Sequence, residues 1–296
     1  LNGVNFEVMR KEVVGLVGET GSGKSVTARS IIRLIDPPGR IVEGNVTFEG
    51  RNILALSDNQ MTDVRGRKIS IIFQEPVIAL NPVMTVGEQV IEAMRANLGY
   101  SEKEARTESV KLLTSVGLPD PALIMNRYPH ELSGGMAQRA FISMTIAAKP
   151  KLLIADEPTS SLDVTIERQI LQLIRELMDA ETITSILFIT HDLGVAAELC
   201  DKIAVMYGGR IAEFGLLEEI FRNPHHPYTK GLMKAVPRIG HYETLHTIPG
   251  EVPDLACAPS GCIFHPRCPI AQKICNDVNP EPKMLTESHV VSCHLA

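Results

Sequence analysis

Short runs of apolar and β-branched residues alternate with longer amphipathic stretches over most of the chain. Four of these runs are almost entirely apolar, as is typical of strands that are covered on both faces of a parallel sheet. They span residues 13–17, 69–73, 152–155 and 185–190. The alternation predicts the α/β fold class, with a mostly parallel core sheet flanked by helices.

Three further segments add to this core. Residues 40–50 predict an antiparallel ribbon, and residues 203–214 predict a hairpin that turns at Gly208 and Gly209. We place both at the edge of the sheet. Between residues 85 and 127 the apolar positions recur with helical spacing and no convincing strand pattern interrupts them, which predicts a helical insertion.

Proline becomes frequent after residue 223, and the periodicity of the apolar positions fades there. We therefore predict two domains. The first is an α/β domain over residues 1–222, which contains a helical subdomain at about 75–145, and the second is a loop-rich extension over residues 223–296.

The composition excludes some classes of protein. The chain has 296 residues, with 29 Lys and Arg against 35 Asp and Glu, and its net charge of −6 disfavours a general binder of nucleic-acid phosphates. No apolar run approaches the ~20 residues that span a bilayer, and the start of the chain lacks the pattern of a secretory signal. We expect a soluble intracellular chain, part of whose N-terminus precedes Leu1.

A candidate phosphate-binding loop follows the first predicted strand. The sequence GETGSGKS has the spacing G-x-x-x-x-G-K-[ST] and precedes a helical run. Its glycines let successive N–H groups point at phosphate oxygens, its lysine adds a positive charge toward the β- and γ-phosphates, and its serine hydroxyl is a ligand for Mg²⁺. The predicted nucleotide-binding residues are Gly18, Glu19, Thr20, Gly21, Ser22, Gly23, Lys24 and Ser25.

Two acidic residues end the third predicted strand. Asp156 and Glu157 lie at its carboxyl end, which is the edge where open α/β sheets bind ligands. We predict that Asp156 holds Mg²⁺, directly or through water. Glu157 is then placed to polarise the water that attacks the γ-phosphate.

A third motif, LSGGMAQR at residues 132–139, opens a helix between these two phosphate motifs. With L-S-G-G-x-x-Q-R in this order, the chain closely resembles the ATP-binding-cassette ATPases. In the pattern of that family Gln74 resembles the lid glutamine, residues 160–163 resemble the D-loop, and His191 resembles the switch histidine. The resemblance implies a P-loop NTPase core sheet with an antiparallel ribbon and a helical insertion.

The resemblance also implies a mechanism. Two cassettes would face each other head to tail, with each ATP held between the phosphate loop of one chain and the signature of the other. Gln74 would contact Mg²⁺ and the attacking water, and His191 would bind the γ-phosphate and keep Glu157 and Asp163 in register. The residues that would serve the partner's ATP are Ser133, Gly134 and Gly135. Asp163 of the D-loop is a further predicted nucleotide-binding residue.

Five of the six cysteines lie after residue 256. Four of them have the spacing C-x5-C-x6-C-x17-C in a segment too poor in periodic apolar residues to form its own core, namely Cys262, Cys268, Cys275 and Cys293. Disulfides are disfavoured in the cytosol, and the absence of C-x2-C pairs makes zinc a weaker fit than a [4Fe-4S] cluster with four thiolate ligands. Zinc and reduced structural cysteines remain the alternatives.

The tail also carries HPYT at residues 226–229 and GCIFHPRC at residues 261–268. These motifs resemble the C-terminal extension of the ATPase subunits of oligopeptide and dipeptide importers, a subgroup that is associated with a [4Fe-4S] cluster. The resemblance implies that the chain hydrolyses ATP to power peptide import. It would do so as a peripheral protein on the cytoplasmic face of the cell membrane.

The implied partners are a second cassette, identical or paralogous, and two transmembrane permease subunits, to which the helical insertion would dock. An extracytoplasmic solute-binding protein would act indirectly, and no nucleic acid would take part. Two alternatives remain. One is an importer ATPase for another solute such as a nickel complex, and the other is a soluble cassette ATPase in DNA repair or translation.

Overall fold

The structure is a computed structural model, which describes residues 1–74, 79–160, 162–235 and 247–296. These residues form two compact units. The first unit combines residues 1–30 with residues 188–296, and the second unit is continuous from 31 to 187. Because the chain leaves the first unit and later returns to it, the first unit is built from both ends of the chain.

The described residues contain ten strands and eleven α-helices. The strands are β1 (Val13–Val17), β2 (Thr47–Phe48), β3 (Arg51–Asn52), β4 (Ile69–Ile72), β5 (Leu152–Asp156), β6 (Ser185–Thr190), β7 (Lys202–Tyr207), β8 (Arg210–Leu216), β9 (Lys283–Met284) and β10 (Val290–Val291). The helices are α1 (Lys24–Ile31), α2 (Asp58–Thr62), α3 (Val86–Leu98), α4 (Glu102–Ser115), α5 (Pro121–Ile124), α6 (Gly134–Ile146), α7 (Val164–Asp179), α8 (Leu193–Leu199), α9 (Leu217–Arg222), α10 (Pro227–Ala235) and α11 (Lys273–Asp277).

Parallel pairing brings together strands that are far apart in the sequence. In the first unit β1 pairs with β7, from Val14 opposite Lys202 to Val17 opposite Val205. In the second unit β4 pairs with β5 over four residues of each strand. Every residue of β1 and β6 is buried, as the almost continuous apolar runs predict. The four core strands are therefore confirmed.

The predicted hairpin is also present, but its place in the sheet is wrong. β7 and β8 pair antiparallel and turn at Gly208 and Gly209, whose φ angles of 53° and 77° lie in the left-handed region. β8 is not an edge strand, because Val290 and Val291 of β10 pair with it and β10 in turn pairs with β9. β9 and β10 have two residues each, which is too short to show the alternation of apolar and polar positions that predicts a strand.

The ribbon predicted over residues 40–50 is displaced. Only β2 and β3 pair, with Thr47 opposite Asn52 and Phe48 opposite Arg51, and they form a separate two-stranded sheet. Residues 40–46 are not strands. The glycines of this segment permit a ribbon, but its exposed apolar residues lack the covered face that would stabilise a longer strand.

The helical insertion is confirmed by α3, α4 and α5, although residues 75–78, at the predicted start of its subdomain, lie outside the described residues. Capping boxes fix where α3 and α4 begin. Thr85 and Glu88 exchange hydrogen bonds at the start of α3, and Ser101 and Glu104 do so at the start of α4.

A buried carboxylate attaches the start of the C-terminal extension to β8. Glu213 is fully buried and accepts the backbone N–H groups of His225 and His226 at 2.7 and 3.0 Å. Its Oε1 atom also lies 2.7 Å from Nε2 of His289, which precedes β10. One side chain of the core thus satisfies three groups of the extension. A buried carboxylate is tolerable only with such partners.

We predict that His226 makes the stability of the protein depend on pH. Burial lowers the pKa of His226 to about 4, while the nearby Glu213 opposes this shift and Lys230 adds to it. The unfolded chain takes up a proton near the ordinary pKa of 6.5, whereas the folded chain does so only near 4. Stability is therefore full above 6.5 and falls as the pH decreases toward 4, by up to about 3 kcal/mol.

Urea unfolding at several pH values between 7 and 4 measures this loss. His226→Asn keeps a polar group at the position but does not titrate, so its free energy of unfolding should depend less on pH than that of the wild type. Parallel pH profiles for the two proteins would contradict the prediction.

Candidate nucleotide-binding and hydrolysis site

The phosphate loop joins the buried strand β1 to α1 in the first unit. A side chain at Gly18 would place its Cβ atom 2.2 Å from the carbonyl oxygen of Met206 in β7, so only glycine allows this close approach. Gly21 and Gly23 have φ angles of 83° and 104°, which side chains rarely adopt. The loop is therefore shaped both by its contact with β7 and by its own backbone.

Lys24 begins α1, and 5% of its surface is exposed. Its ammonium group donates to the carbonyl oxygens of Gly18 and Glu19 at 2.7 and 3.0 Å. These bonds place the positive charge of Lys24 within the curve of the loop. A positive charge beside backbone N–H groups at a helix N-terminus is the arrangement that binds a polyphosphate.

Three residues of the first unit support Glu19 from outside the loop, and the motifs that contain two of them, HPYT and GCIFHPRC, do not predict this role. The hydroxyl of Tyr228 accepts the N–H of Glu19 at 2.9 Å, and Arg267 pairs with the Glu19 carboxylate. Arg267 also donates to the hydroxyl of Tyr207 at 3.3 Å. Burial raises the pKa of both tyrosines, which stay neutral. No local pattern could reveal these contacts, since Arg267 follows Glu19 by 248 residues.

Two predicted catalytic residues meet in the second unit. Nε2 of Gln74 donates to Oε2 of Glu157 at 3.2 Å. Glu157 has a φ angle of 47°, which turns the backbone sharply after β5. Its neighbour Asp156 ends β5 and is 3% exposed. The second unit thus holds the buried carboxylate of Asp156 and, next to it in the chain, the carboxylate of Glu157, which the amide of Gln74 orients.

The signature residues also lie in the second unit, at the start of α6. Ser133 is the N-cap of this helix, and its hydroxyl accepts the N–H of Met136 at 3.3 Å. Gly134 and Gly135 form the first turn. A Cβ atom at Gly135 would lie 2.9 Å from Cγ2 of Ile166 in α7, so this glycine lets α6 approach α7 closely.

The remaining predicted residues cap other helices or lie next to such caps. Oδ1 of Asp163 accepts the N–H groups of Thr165 and Ile166 at 3.0 and 3.1 Å and so caps α7. Residue 161 of the predicted D-loop lies outside the described residues. In the first unit His191 follows β6, is exposed, and precedes Asp192, the N-cap of α8.

The four cysteines of the spacing pattern lie near one another. The N–H of Cys262 donates to the carbonyl of Cys275 at 2.8 Å. Burial raises the pKa of the Cys262 thiol, and the neighbouring thiols of Cys275, Cys293 and Cys268 raise it further. None of the six cysteines forms a disulfide. Within the ranges that the structure describes, however, no three His, Cys, Asp or Glu side chains are placed to hold a metal ion, so the cluster stays a prediction.

Comparison with known proteins assigns the family. A family model described as ABC transporter matches residues 1–160, and one described as oligopeptide/dipeptide transporter, C-terminal region, matches residues 212–275. The chain therefore belongs to the ABC transporter family and is an ATPase of the cassette class. Its second match places it with the members that carry the oligopeptide/dipeptide C-terminal region.

Two relatives cover nearly all of the chain. The dipeptide transport ATP-binding protein DppD of Bacillus subtilis is 45% identical over 100% of this chain and 88% of its own length. The oligopeptide transport ATP-binding protein OppD of Salmonella typhimurium is 48% identical over 95% of this chain and 83% of its own length.

Solved structures confirm the predicted fold class. The ATP-binding cassette MJ0796, solved as a dimer in a post-hydrolysis state with ADP and Pi, is 29% identical with a TM-score of 0.63, over 72% of this chain and 89% of that one. The cbiO1 protein of Clostridium perfringens, part of an ABC transporter complex, is 28% identical with a TM-score of 0.65, over 75% of this chain and 84% of that one. No helix in the described part of the chain has the length and apolar character to cross a membrane.

We predict that the stability contributed by Asp163 depends on its capping oxygen rather than its charge. Asp163→Ala removes the acceptor of two N–H groups at the start of α7 and should lower the free energy of unfolding by about 1 kcal/mol. Asp163→Asn keeps an acceptor and should lower the free energy of unfolding by less than about half as much as Asp163→Ala does. Urea unfolding of both variants measures the difference. An equal loss in the two variants would show that the carboxylate charge matters for folding.

Proposed function

We propose that this chain is the ATP-hydrolysing subunit of an importer for dipeptides or oligopeptides. The observation that carries the proposal is that one chain combines a cassette site with the oligopeptide/dipeptide C-terminal region. The relatives named for dipeptide and oligopeptide transport support this cargo over a nickel complex or a role on DNA. The division into a cassette over 1–222, with a helical subdomain at about 75–145, and an extension over 223–296 belongs to the proposal.

Binding of the nucleotide begins with the phosphate loop. Backbone N–H groups of residues 18–25 and the ammonium of Lys24 would hold the phosphates, and the hydroxyl of Ser25 would face the metal. Asp156 and Gln74 add oxygen ligands of the kind that Mg²⁺ prefers. Asp156 fits this role because its carboxylate is buried at the end of β5. When bound, Mg²⁺ neutralises the charge that develops on the phosphoryl oxygens.

Glu157 would act as the general base of hydrolysis. Its carboxylate would accept a proton from water as the water attacks the γ-phosphate. The amide of Gln74 donates to one oxygen of Glu157 and so orients the carboxylate. His191 would contact the γ-phosphate.

A second cassette, identical or paralogous, would complete the site. Ser133, Gly134 and Gly135 would then contact the nucleotide bound by the partner, and Asp163 would be a further nucleotide-binding residue. The N-terminus of α6 suits this role because its N–H groups and helix dipole attract an anionic γ-phosphate. Two permease subunits would anchor the pair to the cytoplasmic face of the membrane, and a solute-binding protein would deliver the peptide from the other side.

We predict that Glu157→Gln separates ATP binding from ATP hydrolysis. The amide cannot accept the proton of the attacking water, so ATP turnover should fall by at least about 10²-fold. ATP affinity should stay within about threefold, because the phosphate loop is unchanged. The measurements are steady-state phosphate release and equilibrium titration with a fluorescent ATP analogue, both on the chain together with its partner cassette and permeases.

Glu181→Gln is a matched control, because Glu181 is an acidic residue that also has a left-handed φ angle, 54°, and lies in the turn between α7 and β6, outside the phosphate motifs of the sequence. It should turn over ATP like the wild type. Uptake of a labelled dipeptide into vesicles tests the cargo. Uptake that needs ATP and is lost in Glu157→Gln supports a peptide importer, whereas ATP-driven uptake of nickel without uptake of peptide refutes it.

We also propose that Cys262, Cys268, Cys275 and Cys293 ligate a [4Fe-4S] cluster, with zinc as the alternative. The closeness of these thiols to one another supports a shared ligand. Four thiolates are the donor set of such a cluster, in which each cysteine binds its own iron. A single zinc ion would instead need all its thiolates within about 2.3 Å of one point.

We predict that protein purified without oxygen contains iron and sulfide in equal amounts. Cys268→Ser should lose both, whereas Cys257→Ser should keep them because Cys257 is exposed and lies outside the spacing pattern. Elemental analysis and the visible absorption spectrum measure the content. Stoichiometric zinc, or a protein without metal, would refute the cluster and leave the cassette ATPase assignment intact.

A further inference from the structure

The phosphate loop and the cysteine-bearing segment of the extension meet at one partly buried ion pair. Arg267, which directly precedes Cys268, donates from its two terminal nitrogens to the two carboxylate oxygens of Glu19, at 2.6 and 3.1 Å. The side chain of Arg267 is 6% exposed and that of Glu19 is 30% exposed. A two-point pair with this burial is more strongly fixed in geometry than an exposed ion pair.

The same guanidinium has further partners. Its Nε donates to the carbonyl of Pro249 at 2.8 Å, and one terminal nitrogen also donates to the carbonyl of Ile248 at 3.2 Å. The Arg267 side chain therefore joins three parts of the first unit: the phosphate loop, the residues around 248, and the cysteine-bearing segment. Lysine could not make all of these bonds, because it lacks the planar fork of donors.

An aromatic cluster packs beneath this ion pair. The ring of Tyr228 lies 4.6 Å from that of Tyr207 and 5.4 Å from that of Phe264, measured between centroids. Tyr228 also accepts the N–H of Glu19, so the cluster contacts the loop directly. Phe264 belongs to the same short segment as Arg267. The segment is thus held against the loop by packing as well as by charge.

The charge of Glu19 needs a partner when a polyphosphate binds. Glu19 follows the first glycine of a loop that binds an anion, and a carboxylate near an anion repels it. The pair with Arg267 cancels that charge. It also holds the backbone of residue 19, whose carbonyl oxygen accepts from Lys24 at 3.0 Å.

We propose that Arg267 is a positioning residue for ATP binding: it neutralises Glu19 and holds the phosphate loop in shape, so that the cysteine-bearing segment and the nucleotide affinity are coupled. Any change that displaces residues 261–268, including loss of a ligand from the neighbouring cysteines, then weakens nucleotide binding. Conversely, a bound nucleotide stabilises this segment, because coupling between two sites is reciprocal. The proposal rests on the ATP-binding activity of the family and not on the peptide cargo.

Equilibrium titration of the full chain with MgADP tests the proposal in four proteins: wild type, Arg267→Met, Glu19→Gln and the double variant. Arg267→Met keeps the length of the side chain but leaves the Glu19 carboxylate uncompensated, and the dissociation constant should rise about tenfold, within the usual range of coupling between sites. Adding Glu19→Gln removes the charge that needed compensation. The double variant should therefore bind within about threefold of the wild type.

Two companion variants separate positioning from a general loss of stability. Arg267→Lys keeps the charge without the fork and should give an intermediate affinity. Arg222→Met breaks an exposed ion pair with Glu218, at 3.0 Å, and should bind MgADP like the wild type. In the assembled transporter, Arg267→Met should raise KM for ATP and change kcat by less than about threefold, because Arg267 acts on the loop and not on the reacting atoms.

Hydrogen exchange supplies the reciprocal readout. MgADP should slow amide exchange over residues 261–268 in the wild type, and this protection should be absent in Arg267→Met at nucleotide concentrations that saturate the variant. Iron and zinc contents are measured for each protein, and rescue by Glu19→Gln supports the proposal even where Arg267→Met has lost metal.

Native MgADP affinity in Arg267→Met, or failure of Glu19→Gln to restore it, would overturn the proposal and leave Arg267 as a structural residue alone. If the wild type itself failed to bind MgADP, the assigned ATPase function would fail instead, so the two failures are distinguishable.

Discussion

The close approach of the phosphate loop to β7 is the constraint on which the rest of the structure depends. With 2.2 Å between a Cβ atom at residue 18 and the carbonyl oxygen of Met206, the loop lies directly on the buried part of β7. β1 and β7 must therefore pair in one register, and residues 203–207 of β7 are buried. The position of the anion-binding N–H groups follows from how two hydrophobic strands pack, and the loop glycines make that packing possible.

The sequence predicts those parts of the fold that depend only on residues close together in the chain. Strands such as β1 and β6 need only a short apolar run, and the starts of α3 and α4 need only a Ser or Thr three residues before a Glu. The candidate site residues come from fixed spacings in motifs, so Lys24, Glu157 and the signature glycines can be singled out without any knowledge of packing. The structure then brings Gln74 and Glu157 into contact, as the order of motifs suggests.

The features that the sequence does not predict depend on contacts between distant residues. β9 and β10 are too short to show a period, and they exist because β8 offers a free row of backbone groups for pairing. Nothing in the sequence distinguishes Glu213 from an exposed acidic residue in a strand. It is nevertheless fully buried, because three groups of the extension form hydrogen bonds with its carboxylate. Arg267 is similar, since its importance comes entirely from a carboxylate near the other end of the chain.

The first unit is made from both ends of the chain, and this has a consequence for biosynthesis. The phosphate loop leaves the ribosome early, but Arg267 follows its partner Glu19 by 248 residues, which at roughly 5–20 residues per second corresponds to on the order of 10–50 s of translation. Tyr207 and Tyr228 are also synthesised long after the loop, and until Arg267 follows them the loop lacks the ion pair that holds it. A nascent or truncated chain therefore carries the complete nucleotide motif without its supports, and the ability to capture ATP tightly marks a chain whose synthesis has passed the cysteine-bearing segment.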